Sequence, residues 1–238
     1  MPPRSSSLLL ALAILLCIPG SVLNAEEEAS NGLILLRGKA TPVVWQDGDT
    51  LTFVKGPLKG KTGRLVGYNT LESYGPVHRW GEWSGQELLG LAMEARKAAA
   101  SSEWSCTKQK GRDSYGRLLI DCPDARAALL KTGLAHVFAY EGEPAPNDLA
   151  LQTSARMDSR GIWRKGRPET IISNVSADNS GRVFLRVVNS RSGKTEVRHQ
   201  RGDYSICDEI CEGPSVSGSC MLFVPYEQRY RASAPCLQ

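Results

Sequence analysis

Four short stretches hold the residue types able to do chemistry: "DGDT" at 47–50, "RLVGYNTLE" at 64–72, "RDSYGR" at 112–117 and "ARMDSRGIW" at 155–163. Asp47, Asp49, Asn69 and Glu72 offer hard oxygens of the kind that suit Ca²⁺. A glutamate can also take a proton from water, and the arginine forks of Arg64 and Arg117 match phosphate oxygens. Cutting a phosphodiester needs this set of parts: a neutralised phosphate, an activated water and stabilised charge at a pentacoordinate phosphorus. Taken singly, each has a plainer reading, because "DGD" is a common turn and Glu72 or Arg117 alone would be a solvated charge. Arg64 stands apart, since a charge entering an apolar strand needs a partner.

These residues need elements to hold them. "LILLRG", "PVVWQDGDTLTFV" and "GRLVGYN" read as successive strands, with "QDGD" as a tight turn in which Gly48 can take positive φ. Ser84 and Glu87 form a capping-box pair ahead of Leu88, Leu91, Ala92 and Ala95, the i, i+3, i+4, i+7 spacing of a helix with a small apolar face. "EWSCTKQK" and "RLLIDC" read as a second hairpin joined through "GRDSYG". A short helix runs from Asp124 to a C-cap at Gly133, and Asn147 caps a third that runs to Gly161. From Gly166 the texture changes to short β-like runs and a cysteine-bearing tail.

The order and spacing of the four stretches on these elements resemble the staphylococcal nuclease family, the thermonucleases, over about residues 40–165. The resemblance implies an α+β fold, a five-stranded OB-type β-barrel with three helices, at residues 33–165, while the change of texture marks 166–238 as a small β-rich, disulfide-stapled appendage outside it. It implies a Ca²⁺-dependent endonuclease acting on DNA and RNA, single strands preferred, giving 3′-phosphates. In that reading Asp49 is the main Ca²⁺ ligand, Asn69 and the Thr70 carbonyl complete the metal set, and Asp47 is a nearby acid. Glu72 is the general base, Arg64 and Arg117 grip the scissile phosphate, and Tyr115 lies beside the nucleotide phosphate.

Two departures qualify the reading. The family pattern "DTPE" is "NTLE" here, so Asn69 removes a full charge from the metal site and Leu71 removes a rigid turn residue before Glu72. Ser114 stands where a lysine is common in the family. These changes keep a second hypothesis open: a catalytically weak module that binds nucleic acid or another anionic polymer. Retention of Glu72, Arg64 and Arg117 together favours the enzyme. The insert "SYGPVHRWGEW", residues 73–83, adds Trp80, Trp83, His78 and Arg79, which could stack on bases and grip phosphate. The apolar area of the tryptophans favours packing against the barrel.

Arg4 ahead of "LLLALAILLCIPG" and the small residues before "EEE" make a signal peptide, cleaved near Ala25, with 26–32 as a leader. Export to the periplasm, envelope or exterior is therefore expected, with no stable membrane span in the mature chain. The remaining 213 residues suit one domain plus an appendage, expected as a monomer, and carry a net charge of only +3. That balance fits an anionic partner without specifying one. Six cysteines remain, Cys106, Cys122, Cys207, Cys211, Cys220 and Cys236, an even number that favours disulfides in an oxidising compartment, with zinc as the rival for the last four. Cys106 and Cys122 fall opposite one another on the second hairpin, so a cross-strand bridge is expected there, reduced buried thiols being the alternative. Arg182, Arg186, Arg191, Lys194, Arg198 and Arg201 gather near one acid, Glu196, as a basic ribbon or a solvated hairpin face.

Overall fold

A computed structural model describes residues 31–177, 182–202, 204–213, 218–225, 227–230 and 234–237. The expected signal peptide and the leader as far as residue 30 lie outside the described residues. Strands β1 (Asn31–Leu36), β2 (Lys39–Trp45), β3 (Thr50–Phe53), β4 (Thr62–Leu65), β7 (Trp104–Arg112) and β8 (Leu118–Asp121) close a barrel in the order β1-β2-β3-β4-β8-β7. The barrel thus has six strands where five were expected. The apolar "LILL" segment forms β1, which pairs antiparallel with β2 and parallel with β7 and so completes the closure. Ile34, Trp45, Leu51, Phe53, Leu65 and Ile120 are buried within the core that fills it.

Three helices pack around the barrel: α1 (Gly85–Ala100), α2 (Pro123–Thr132) and α3 (Pro146–Met157). The expected capping box starts α1, with Ser84 Oγ accepting from Glu87 N and Glu87 Oε2 accepting from Ser84 N. Its buried face is Leu88, Leu91, Ala92, Ala95 and Ala99, and the alanines allow close approach. Helix α2 ends at Gly133, which takes the left-handed conformation at φ 72°. Helix α3 differs from expectation. Ala145 precedes it without a side-chain cap, Asn147 lies inside it, and it stops at Met157. Pro146 presets φ for the first turn and leaves one orphan N–H fewer, so the helix starts at the proline without a polar cap. Ser159 at φ 52° then ends the run, and Gly161–Trp163 forms a separate 3₁₀ turn.

"RLVGYN" is not one strand. It breaks at Val66, and β5 (Gly67–Thr70) leaves the barrel to pair antiparallel with β9 (Ala135–Phe138). Gly67 makes the break possible: its φ is +88°, and a Cβ there would lie 2.8 Å from Arg126 Cδ. Arg126 braces the break from α2, bonding Val66 O and the carboxylates of Asp121 and Asp148.

The C-terminal part forms a three-stranded sheet, β10 (Thr170–Ala177), β11 (Arg182–Asn189) and β12 (Thr195–Arg201). A second sheet runs β13 (Glu209–Glu212), β14 (Ser219–Leu222) and β6 (Val77–Arg79), so the 73–83 insert supplies a strand to the tail. The insert packs. Trp80 and Trp83 are buried and both donate Nε1–H to the Ile162 carbonyl, while Arg79 is paired with Glu209. Disulfides join Cys106 to Cys122, Cys207 to Cys236 and Cys211 to Cys220. The sulfurs considered for zinc are thereby spent, including those of Cys211 and Cys220 beside Glu209, the group of possible ligand atoms that converges among the described residues. No helix among the described residues is long and apolar enough to cross a membrane.

Candidate active site

Asp47 and Asp49 sit on the turn between β2 and β3, where Asp47 Oδ1 accepts from Asp49 N at 3.0 Å. Gly48 is required here, but for a different reason than expected. It does not adopt positive φ, whereas a Cβ on it would come within 2.5 Å of Thr70 Cγ2 and 3.1 Å of Ala95 Cβ. The turn is thus wedged between β5 and α1, which carries Asp49 against Thr70. Asp49 Oδ2 accepts from Thr70 N at 2.7 Å and Oδ1 from Thr50 Oγ1 at 2.9 Å.

Arg64, at the end of β4, is 8% exposed and has the partner its burial demands, an ion pair with Asp49. Its Nη2 also donates to Asn69 Oδ1 at 2.5 Å, and its guanidinium lies 5.6 Å from the Phe138 ring centroid. Asn69 in turn donates Nδ2–H to the Thr70 carbonyl at 2.8 Å. Both neutral oxygens of the expected metal set, Asn69 Oδ1 and Thr70 O, are therefore engaged inside the protein.

The charges do not cancel. Burial pushes the Asp47 carboxyl well above the usual carboxylate range, and the Asp49 and Glu72 charges add to the rise. Burial also disfavours the Asp49 anion, yet Arg64 and the hydrogen bonds from Thr70 and Thr50 outweigh it and hold Asp49 low. Glu72 is raised to about 7, chiefly by burial and then by Asp49, against the pull of Arg64, Arg117 and Arg229. The site is acid-rich and oxygen-lined, and those donors fit a hard cation such as Ca²⁺ in type.

Arg117, just ahead of β8, is half-buried and held along one edge by Asp113, which accepts from Nε at 2.6 Å. Its Nη1 reaches towards Thr50 Oγ1 at 3.5 Å, and its guanidinium lies 5.3 Å from the Tyr115 ring centroid. Tyr115 is 60% exposed. Arg64, Ser114, Tyr115 and Arg117 line one cleft of about 770 Å³.

The structure therefore gathers Asp47, Asp49, Arg64, Asn69, Thr70, Glu72 and Arg117 around one corner of the barrel. His78 is not part of it as an acid. It is buried with neither ring nitrogen hydrogen-bonded, its ring edge-on to Trp80, and burial and His136 hold it at about 3, so it stays neutral. The basic ribbon is also reduced, because folding brings it acids from elsewhere: Glu143 to Lys194, Glu169 to Arg191 and Glu212 to Arg198.

One residue escaped sequence reasoning altogether. Arg229, in the single-turn helix α4 (Glu227–Tyr230), is 5% exposed and donates Nη1–H to the Ser73 carbonyl at 2.9 Å, next to Glu72. Its Nε and Nη2 both donate to Val224 O. Nothing in "EQRYR" marks it, since Ser73, the partner that ties it to the Glu72 loop, lies 156 positions away. Ser73 Oγ also donates to Gln46 O at 3.0 Å, so the Glu72 loop is fastened from two sides. Comparison of the chain with protein-family models and with curated proteins finds no match.

Proposed function

We propose that the chain is an exported, Ca²⁺-dependent nuclease of the thermonuclease type that hydrolyses phosphodiester bonds of DNA and RNA. The observation that carries this reading is the convergence of Glu72 with Arg64 and Arg117 beside the Asp47–Asp49 turn, with the two arginines lining one cleft. Glu72, raised to about 7, is matched to taking a proton from water near neutral pH. Arg117, oriented by Asp113, and Arg64 supply positive charge where charge builds on the phosphate. Asp47 and Asp49, with Asn69 and the Thr70 carbonyl, would hold Ca²⁺, which would neutralise phosphate charge when bound. The thermonuclease resemblance implies products with 3′-phosphates.

The internal engagement of Asn69 Oδ1 and Thr70 O favours a second reading, a weakly catalytic module that binds the polymer without efficient cutting. One titration separates the two. Purified protein is incubated with single-stranded DNA across a Ca²⁺ series, with EDTA as blank and Arg117→Ala alongside. Ca²⁺-dependent cutting that falls roughly 10²–10³-fold in Arg117→Ala supports the enzyme. Binding without cutting at millimolar Ca²⁺ supports the module.

A further inference from the structure

The C-terminal sheet reaches the same cleft. Arg186 of β11 is among the lining residues, beside Tyr140, with its guanidinium 5.0 Å from that ring centroid. Its cross-strand partner on β10 is Asn174, placed there by a bulge between Ile172 and Asn174, and Asn174 Nδ2 donates to Tyr115 OH at 3.1 Å. The two paired residues therefore stand on one face of the sheet, one meeting each tyrosine. Val183, Leu185 and Val187, on the other face of β11, are buried in the core of the C-terminal part, which fixes this orientation.

The wall is anchored. Ala139, next to Tyr140, donates N–H to Gly193 O at 2.8 Å and accepts from Thr195 Oγ1, while Gln152 and Arg156 of α3 both donate to Ser190 O. A buried, unanswered nitrogen singles out Arg186, since Lys110 and Arg112 also line the cleft without a carboxylate partner among the described residues but are exposed. Of the acids lining the cleft, Asp113, Asp121, Glu143 and Asp148 are each paired with a cation, and Glu141 is exposed. Arg186 has no carboxylate partner among the described residues, and its buried Nε has no hydrogen-bond acceptor. An unpaired guanidinium over a tyrosine in a cleft offers a phosphate contact and a stacking surface together.

We propose that Arg186, Asn174, Tyr115 and Tyr140 form a subsite for a nucleotide flanking the scissile linkage, so that the C-terminal sheet extends the cleft along a single strand. This rests on the nuclease reading for the identity of the polymer. A cleft of about 770 Å³ is of the size that holds a small ligand such as one nucleotide, about 300–1,000 Å³.

The test uses the full exported chain and 5′-fluorescein oligothymidylates of increasing length, from dinucleotide to octanucleotide. Binding is read by anisotropy with EDTA present, and KM and kcat are read with Ca²⁺. In the unsubstituted protein affinity rises with length. In Arg186→Gln that rise shrinks about tenfold at the octanucleotide, mainly through KM, and Arg186→Lys recovers part of it. Asn174→Ala weakens the octanucleotide in the same direction. Binding without cutting, with the length effect lost in Arg186→Gln, upholds the subsite while sinking the nuclease reading. An identical length dependence in Arg186→Gln and unsubstituted protein, both folded by thermal melt, overturns the subsite, as does absence of binding at any length.

Discussion

Asn69→Asp restores to the site the charge whose absence separates this chain from the thermonuclease pattern. In the structure Asn69 accepts from Arg64 and donates to Thr70 O, so the substitution has two opposed consequences. Without metal, the Nδ2 donor is lost, a carboxylate faces the Thr70 carbonyl, and a further acid joins Asp47, Asp49 and Glu72 around Arg64. Loss of the donor alone costs about 1–3 kcal/mol, partly offset by the stronger ionic contact to Arg64. With Ca²⁺ the sign reverses. A unit pair at about 4 Å is worth roughly 4 kcal/mol at an effective dielectric near 20, and a divalent ion doubles that. Repulsion from the neighbouring carboxylates and desolvation remove most of it, leaving a net gain of about 1.5–3 kcal/mol, or roughly 10- to 100-fold in Ca²⁺ affinity. Calorimetric Ca²⁺ titration measures the gain directly. Melting in EDTA and in Ca²⁺ should show a lower Tm without metal and a wider gap between the two conditions. Ca²⁺ affinity within twofold of the unsubstituted protein, together with an unchanged Tm in EDTA, would refute both the ligand assignment and the role given to Asn69.

Glu72→Gln should abolish turnover. The ascending limb of the kcat–pH profile near pH 7 should be present only with Glu72, since its carboxylate forms as pH rises through about 7. The stability consequence has a definite sign. A carboxyl whose folded pKa is raised stabilises the fold fully below its unfolded pKa and loses that contribution as pH rises through about 7, so Glu72→Gln, compared with the unsubstituted protein, should gain stability at pH 8 relative to pH 4, by roughly 3 kcal/mol of unfolding free energy at most. Arg229→Met leaves the Ser73 and Val224 carbonyls without their donor and should lose about 2–4 kcal/mol of stability in denaturant melts. It should also lower kcat more than it raises KM, with Arg229→Lys recovering part; unchanged kcat in folded protein would dismiss the fastening of the Glu72 loop. Gly48→Ala must displace Thr70 or the turn, so it should lower both Tm and Ca²⁺ affinity, and a neutral result would show that the close approach is not needed.

Local rules carried much of the architecture. The Ser84–Glu87 capping box, the small apolar face of α1, the Gly133 C-cap and the hairpin bridging Cys106 to Cys122 all rest on neighbours within a turn or a hairpin, and all are present. The candidate site was legible only through the joint match of the four stretches to the thermonuclease pattern, because Asp49, Glu72 and Arg117 taken singly read as a turn residue and solvated charges. Local reading failed where a distant group decided the outcome. The break at Gly67 depends on β9 and on Arg126.

What the sequence determined by itself was therefore the chemistry on offer: oxygens, a base and two guanidinium forks on an α+β chain with paired cysteines. Only the tertiary structure decided how those charges are matched. Arg64 is turned onto Asp49 and Asn69, the tail's cations meet acids from other segments, and Arg186 and Arg229 reach the cleft and the Glu72 loop from the far end of the chain. Ion pairing acts through space, at a few ångströms and under burial, and spacing along the chain carries no record of which distant charge will arrive.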